Sequence, residues 1–176
     1  MIHLVLGGAR SGKSKYAEAL AQELAEQTKQ AVHYIATATI GDDEMRERIA
    51  HHQASRPTHW QLTESPFYLS APIQAASNQI IIIDCLTLWL SNWLCNHDSE
   101  GFEEEKVAVV DKLLSFSGNC IIVSNEVGSG IVPMGALSRQ FADHAGWLNQ
   151  AIANVADKVT LVVAGCPLTL KEPSPR

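Results

Sequence analysis

Several features that would set a protein's class are missing from this chain. Its four cysteines, Cys85, Cys95, Cys120 and Cys166, contain no C-x-x-C pair. Neither a disulfide frame nor a zinc site is therefore expected, and scattered cysteines of this kind read as reduced and buried. Positive charge is not in excess: 13 Lys and Arg against 19 Asp and Glu leave a net charge of -6, which argues against a nucleic-acid partner. No segment reaches the ~18 uninterrupted apolar residues of a membrane span. Ile80 to Leu94 comes nearest and is broken by Asp84, Ser91 and Asn92, so no stable membrane insertion is expected. The start has no basic region ahead of a long apolar stretch, so no secretory signal is expected and a cytoplasmic location fits. Charged residues are only 18% while 46% are hydrophobic, the balance of a folded chain with a real core. Nothing in the 176 residues reads as a repeat or a linker, so a single domain is expected over residues 1–166.

What is present is concentrated near the start. Ile2 to Leu6 is an apolar, β-type run. Gly7, Gly8, Ala9, Arg10, Ser11, Gly12, Lys13 and Ser14 follow and fit the phosphate-loop pattern G-x-x-x-x-G-K-[ST]. Tyr16, Ala17, Leu20, Ala21 and Leu24 then recur at helical spacing. The chemistry asks for this order. A triphosphate needs converging backbone N–H donors, and glycine permits the tight bend that aims them. Lys13 reaches the β- and γ-phosphates, the Ser14 hydroxyl holds Mg²⁺, and the helix start adds its positive dipole end. A glycine-rich turn matching by chance lacks the strand before and the helix after, so a bound ATP or GTP is the better reading.

Further along, Ala31 to Ala36 reads as a second strand, followed by Thr37, Ala38 and Thr39 at the end where such sheets place ligand loops. Asp42, Asp43 and Glu44 suit a helix start, with the helix running to His52 and closed by Arg56-Pro57. Trp60 to Glu64 is a short strand and Pro72 to Ser77 a short helix. Ile80 to Asp84 is a solid buried strand. Helices are expected over Leu86 to Asn96, Glu103 to Phe116 and Gly135 to Ala156, and strands over Cys120 to Ser124 and Val159 to Val163. His97 to Phe102 and Asn125 to Pro133 read as loops. The tail, 167–176, holds three prolines and is expected to be flexible. Alternating buried strands and helices specify an α/β fold with a mainly parallel central sheet flanked by helices.

Asp84 closes an apolar strand in a chain with a phosphate loop, the place of a Mg²⁺-holding carboxylate; its competing role is to cap the next helix. On the helix carrying Met45, Arg48 and Ile49, His52 lies one turn after Arg48 and four residues before Arg56. Arginines can hold anionic oxygens and a neutral imidazole can attack phosphorus, although a solvated histidine pair, His51 and His52, is the plainer reading of the spacing alone. Glu64 and Glu126 are loop carboxylates that could face a ribose, a metal-bound water or the substrate, or simply solvent.

Taken together, Gly7 to Ser14, Tyr34-Ile-Ala-Thr37, Asp42-Asp-Glu-Met45, Arg48-Ile-x-x-His52-x-x-x-Arg56-Pro57-x-x-Trp60, Asp84-Cys-Leu-Thr87, Asn125-Glu-Val-Gly128 with Gly130-Ile-Val-Pro133, and Asp143-x-Ala-Gly146-x-x-Asn149-Gln150 occur in order. The chain resembles the bifunctional adenosylcobinamide kinase / adenosylcobinamide-phosphate guanylyltransferase family of cobalamin biosynthesis, from about Ile2 to Gly165. The resemblance implies a RecA-like P-loop NTPase sheet assembled as a homotrimer. It implies phosphorylation of the aminopropanol hydroxyl of adenosylcobinamide by ATP or GTP. GMP then passes from GTP through a guanylyl-histidine to adenosylcobinamide phosphate, giving adenosyl-GDP-cobinamide and pyrophosphate. By the family pattern the histidine is His52. Nucleotide contacts fall on the loop, on Ala36, Thr37 and Ala38, on Gln53, Ala54, Ser55 and Arg56, and on Glu64 and Asp84. Cys166 departs from the larger apolar residue expected there. Two other functions compete: a simple small-molecule kinase in which His52 has no role, and a nucleotide-binding regulatory module without turnover.

Overall fold

The structure is a computed structural model that describes residues 1–39, 57–96 and 99–173. The expected helix over Asp42 to His52, with His51, Gln53, Ala54, Ser55 and Arg56, lies outside the described residues.

Strand β1 (Ile2–Gly7) leads through the glycine-rich loop into helix α1 (Lys13–Thr28), and β2 (Val32–Ala36) follows. After the undescribed segment come β3 (Gln61–Glu64), the short α2 (Ser70–Ala75), β4 (Ile80–Asp84) and α3 (Leu86–Cys95). Then α4 (Ser99–Leu114), β5 (Asn119–Asn125), α5 (Ala136–Val155) and β6 (Lys158–Val163) complete the alternation. The sheet runs β3-β2-β4-β5-β1-β6 with every pair parallel, so all their C-terminal ends share one edge. The α/β reading holds. The helix expected from Glu103 starts earlier, at Ser99, taking in part of the expected loop.

Strand alternation divides the interior. Ile81 and Ile83 of β4 join Leu4, Leu6 and Ile122 in a core that also holds Leu69, Leu86, Trp89, Leu90, Leu148 and Ile152. Ile80 and Ile82, with Val5, Ile121 and Val123, meet Ala17 and Ala21 of α1 on the opposite face. That two-sided burial is why β4 is an unbroken β-branched run rather than an alternating one. His3 falls on the α1 face. It is buried, shares a hydrogen bond of 2.8 Å between Nε2 and Thr160 Oγ1, and sets its ring edge-on to Tyr16. Burial, then the nearby Lys158, lowers its pKa to about 4.

The expectation of a flexible tail over 167–176 is corrected for its first half. Residues Cys166–Lys171 form β7, antiparallel to β6. The connection is two residues, Ala164 (φ 53°) and Gly165 (φ 78°), both in the left-handed region that suits a tight hairpin. Pro167 is tolerated because β7 is an edge strand, where a missing N–H breaks no interior ladder. The cysteine expectation is half right: Cys85 and Cys120 are buried, Cys95 and Cys166 exposed, and all four are free. Burial raises the pKa of the Cys85 thiol to about 12 and pushes that of Cys120 up as well, so both are inert packing residues.

Candidate active site at the C-terminal edge of the sheet

The phosphate loop is built by close approach. A Cβ on Gly7 would lie 2.4 Å from Ser11 Oγ and 2.7 Å from the Val162 carbonyl oxygen, so only glycine lets the chain turn there. Gly12 has φ 94° and precedes α1 directly, a backbone state that side chains resist. Arg10 also takes positive φ, 55°. The loop is tied from outside: the Gly165 N–H donates to Ser11 O at 2.8 Å, and the Glu126 N–H to Gly7 O at 3.2 Å. The β6–β7 turn is thus a wall of the loop, a role that the sequence reading did not assign to Ala164 or Gly165.

Lys13 stands at the start of α1 and its Nζ donates to Gly8 O at 3.1 Å. Desolvation lowers its pKa, opposed by Cys85 and by Asp84. An ammonium stripped of water acts more strongly on a nearby anion than an exposed one. Ser14 follows in the first helical turn, where free N–H groups and the helix dipole face the loop.

Asp84 closes β4. Register places it beside Ala36 of β2 and Val123 of β5. Tyr34 OH donates to Asp84 Oδ2 at 2.6 Å, a short charge-assisted bond that orients the carboxylate. The capping alternative is not what the chain does. Cys85 is the residue that stands at the cap position just before α3, with no side-chain cap bond. Instead Thr37 clamps this corner: its hydroxyl donates to Cys85 O at 2.7 Å and accepts from Cys85 N at 2.8 Å. Thr37 is fully buried, so its side chain holds the Asp84 turn and is not free to meet a nucleotide. Asn92 of α3 secures the same strand end, donating to Thr37 O at 2.8 Å and Pro66 O at 2.9 Å.

Of the sequence-derived positions, the loop from Gly7 to Ser14, Ala36, Thr37, Ala38, Glu64 and Asp84 all lie along this edge. Glu64 is exposed at the end of β3, in register with Ala36. Glu126 accepts from Gly128 N at 2.8 Å and so also orders its own loop. His52, Gln53, Ala54, Ser55 and Arg56 lie outside the described residues. Tyr34, Thr87, Asn92 and Asn149 were missed as supports. Thr87 Oγ1 accepts from Asn125 N at 2.7 Å, and Asn149 Nδ2 donates to Asn125 O at 3.0 Å. The quoted Tyr34-Ile-Ala-Thr37, Asp84-Cys-Leu-Thr87 and Gly146-x-x-Asn149 stretches hinted at three of them, and nothing quoted contains Asn92.

A strand, a glycine-rich loop with a desolvated lysine, and an oriented carboxylate on a neighbouring strand end can hold and polarise a nucleoside triphosphate. Comparison with known proteins agrees. The cobinamide kinase / cobinamide phosphate guanyltransferase family model matches residues 3–170. The chain belongs to this family. It is 49% identical over 173 residues to the bifunctional adenosylcobalamin biosynthesis protein CobP of Pseudomonas aeruginosa, covering 97% of this chain and 98% of that one. It is 39% identical to the protein CobU, similarly described, of Escherichia coli, over 97% of this chain and all of the other. Among solved structures, the KaiC-like protein PH0186 of Pyrococcus horikoshii OT3 aligns over 91% of this chain and 69% of its own, with a TM-score of 0.49 and 13% identity. As a member of the family, the chain is a cobinamide kinase and cobinamide phosphate guanylyltransferase that uses nucleotide substrates. No helix among the described residues is long and apolar enough to cross a membrane.

Proposed function

We propose that a single phosphate cradle serves both transfers, with Lys13 and the loop gripping the same triphosphate and two different nucleophiles meeting it at opposite ends. The observation that carries this reading is the convergence of Lys13, the loop and the Tyr34-oriented Asp84 on one sheet edge in a chain of this family. In the kinase step the aminopropanol hydroxyl of adenosylcobinamide attacks the γ-phosphorus. The loop N–H groups and Lys13 take up the charge on the transferring group, which is most of what a phosphoryl transfer asks of a protein.

In the second step His52 is the nucleophile. A bond forms between an imidazole nitrogen and the α-phosphorus of GTP, the bond to the bridging oxygen breaks, and pyrophosphate leaves. A phosphate oxygen of adenosylcobinamide phosphate then attacks the same phosphorus and displaces the imidazole. The covalent intermediate divides one transfer into two displacements. Support for His52, and for Gln53 to Arg56 beside it, is the quoted family pattern.

Mg²⁺ fits this site. Ser14 and Asp84 offer hard oxygen donors, and Tyr34 orients the carboxylate through Oδ2. Among the described residues no group of three or more His, Cys, Asp or Glu forms a metal cage, but Mg²⁺ commonly needs only one or two protein oxygens beside phosphates and water. When bound it would neutralise phosphate charge. A homotrimer in the cytoplasm completes the proposal. Exposed apolar side chains at Ile131, Val132, Met134, Leu137 and Leu168 are the kind of surface that assembly covers.

The test is incubation with α-labelled GTP. Protein-bound label that survives denaturation, is lost in acid and is absent from His52→Ala is the expected result. Phosphorylation of cobinamide with no covalent label in the unaltered protein would leave a simple kinase. Nucleotide binding with neither reaction would leave a regulatory module.

A further inference from the structure

We infer that Asn125 is a catalytic contact of the kinase step, its side-chain amide meeting the terminal phosphoryl group and the attacking hydroxyl. The inference rests on the proposed use of the cradle for two transfers and adds a residue to one of them. Three observations carry it.

The first is position. β5 lies between β1, which feeds the phosphate loop, and β4, which ends in Asp84. Asn125 is the last residue of β5 and is in register with Gly7. Alternation along β5 puts Ile121 and Val123 on the α1 face, so Asn125, two residues on, shares that face with the loop, as Asp84 does by the same alternation from Ile80 and Ile82. Lys13 and a metal on Asp84 address the β–γ end of a triphosphate. A side chain standing between them faces that end and not the α-phosphorus.

The second is an unmet bonding capacity. Asn125 Oδ1 is buried and has no hydrogen-bond partner, and Ser11 Oγ, beside Gly7, is in the same condition. Buried polar atoms without partners are costly and uncommon in native proteins. Two of them flank one glycine; among the neighbouring polar side chains Thr37 and Thr87 are bonded, while Asn149 is bonded through Nδ2 and has an unpartnered Oδ1. An amide has both halves needed here: its NH₂ donates to a phosphate oxygen and its carbonyl oxygen accepts the hydrogen of an alcohol.

The third is rigidity. Asn125 is held by its backbone on both sides, through Thr87 Oγ1 at 2.7 Å and Asn149 Nδ2 at 3.0 Å. Its side chain carries none of this support, so it is held in place without being needed for the fold. A group fixed before substrate arrives is what electrostatic positioning requires.

The experiment compares Asn125→Ala and the isosteric Asn125→Asp with the unaltered full chain, in two assays. One is steady-state phosphorylation of cobinamide by ATP. The other is the rate of covalent labelling by α-labelled GTP. Loss of a preorganised donor reduces kcat by about 100-fold. Asn125→Ala is expected to lose phosphorylation kcat on that scale, with KM for ATP and the labelling rate within about 3-fold of the unaltered protein. Asn125→Asp should lose as much and also raise KM for ATP, because its carboxylate faces phosphate. Its shape guards against a folding artefact, and a thermal midpoint close to that of the unaltered protein checks both. Phosphorylation within about 3-fold of the unaltered protein, or labelling that falls in parallel with phosphorylation, would overturn the inference. If the unaltered protein labels but does not phosphorylate, or does neither, the proposed function falls first and this contact falls with it.

Discussion

The two faces of the sheet treat polar side chains differently at the same edge. On the face packed by α3 and α5, Thr37, Thr87, Asn92 and Asn149 bond to backbone across long sequence separations and tie strand ends to helices. On the α1 face, Ser11 and Asn125 keep buried oxygens unbonded, and Lys13 rests on a carbonyl of its own loop. At this edge the first face uses its side chains for the fold, although Asn149 Oδ1 is unbonded there too, while on the second the bonded Tyr34–Asp84 pair stands beside oxygens left for whatever binds. The contrast separates scaffold from chemistry without reference to residue type, since asparagine occurs on both sides. It predicts that changes on the first face lower stability and those on the second lower rate.

The sharpest test of the chemical face is Lys13→Ala. Both transfers use the same phosphates, so kcat/KM should fall by about 1,000-fold for each, with unfolding little changed. Separate rate assays of the two steps check it, and near-normal activity in either would mean a second nucleotide site. Asp84→Asn is next. It keeps the Tyr34 bond in reach but removes the charge, and both steps should slow by about 100-fold, with partial recovery at raised Mg²⁺.

On the scaffold side, Asn92→Ala strips partners from the buried Thr37 carbonyl and the half-buried Pro66 carbonyl. Buried groups left unsatisfied cost about 1–3 kcal/mol each, so urea unfolding should show a loss of about 3 kcal/mol. Because the Thr37 corner supports Asp84, kcat/KM per folded molecule should fall too, but by less than about 10-fold. A large rate effect with unchanged stability would dissolve the distinction between the faces.

These differences also explain what could be read without coordinates. The phosphate loop and the β4 strand ending in Asp84 are local patterns, each contained in a few consecutive residues, and both stand where expected. The bond from Asn92 to Thr37 spans 55 residues, and nothing in either local sequence announces the other. β7 escaped for a different reason. Three prolines in ten residues argue for disorder, and an Ala-Gly turn carries a weaker hairpin signal than Asn-Gly. Only the edge position, a property of the assembled sheet, makes Pro167 harmless. Asn125 could be placed at the ligand edge from sequence, but its unbonded oxygen is a fact of packing.

The smallest expected effect concerns His3, on the α1 face but away from the loop at the far end of β1. Its imidazole is buried against Tyr16 and Thr160 and faces Lys158, and its pKa is lowered from 6.5 to about 4. Below pH 6.5 the unfolded chain takes up a proton that the folded chain refuses, so stability rises with pH through this window. The contribution is fully present above about 6.5 and is lost as pH falls towards 4, reaching about 2 kcal/mol once allowance is made for screening. Carboxylates add their own dependence in the same range, so the informative quantity is a difference. His3→Gln keeps a polar partner for Thr160 without titrating there. Urea midpoints of the two proteins should therefore converge as pH is lowered from 7 to 4.5, with His3→Gln the less stable at pH 7. A constant gap would show that His3 takes up its proton as readily in the fold as in the unfolded chain, and that this end of β1 holds its polar groups as openly as the loop does.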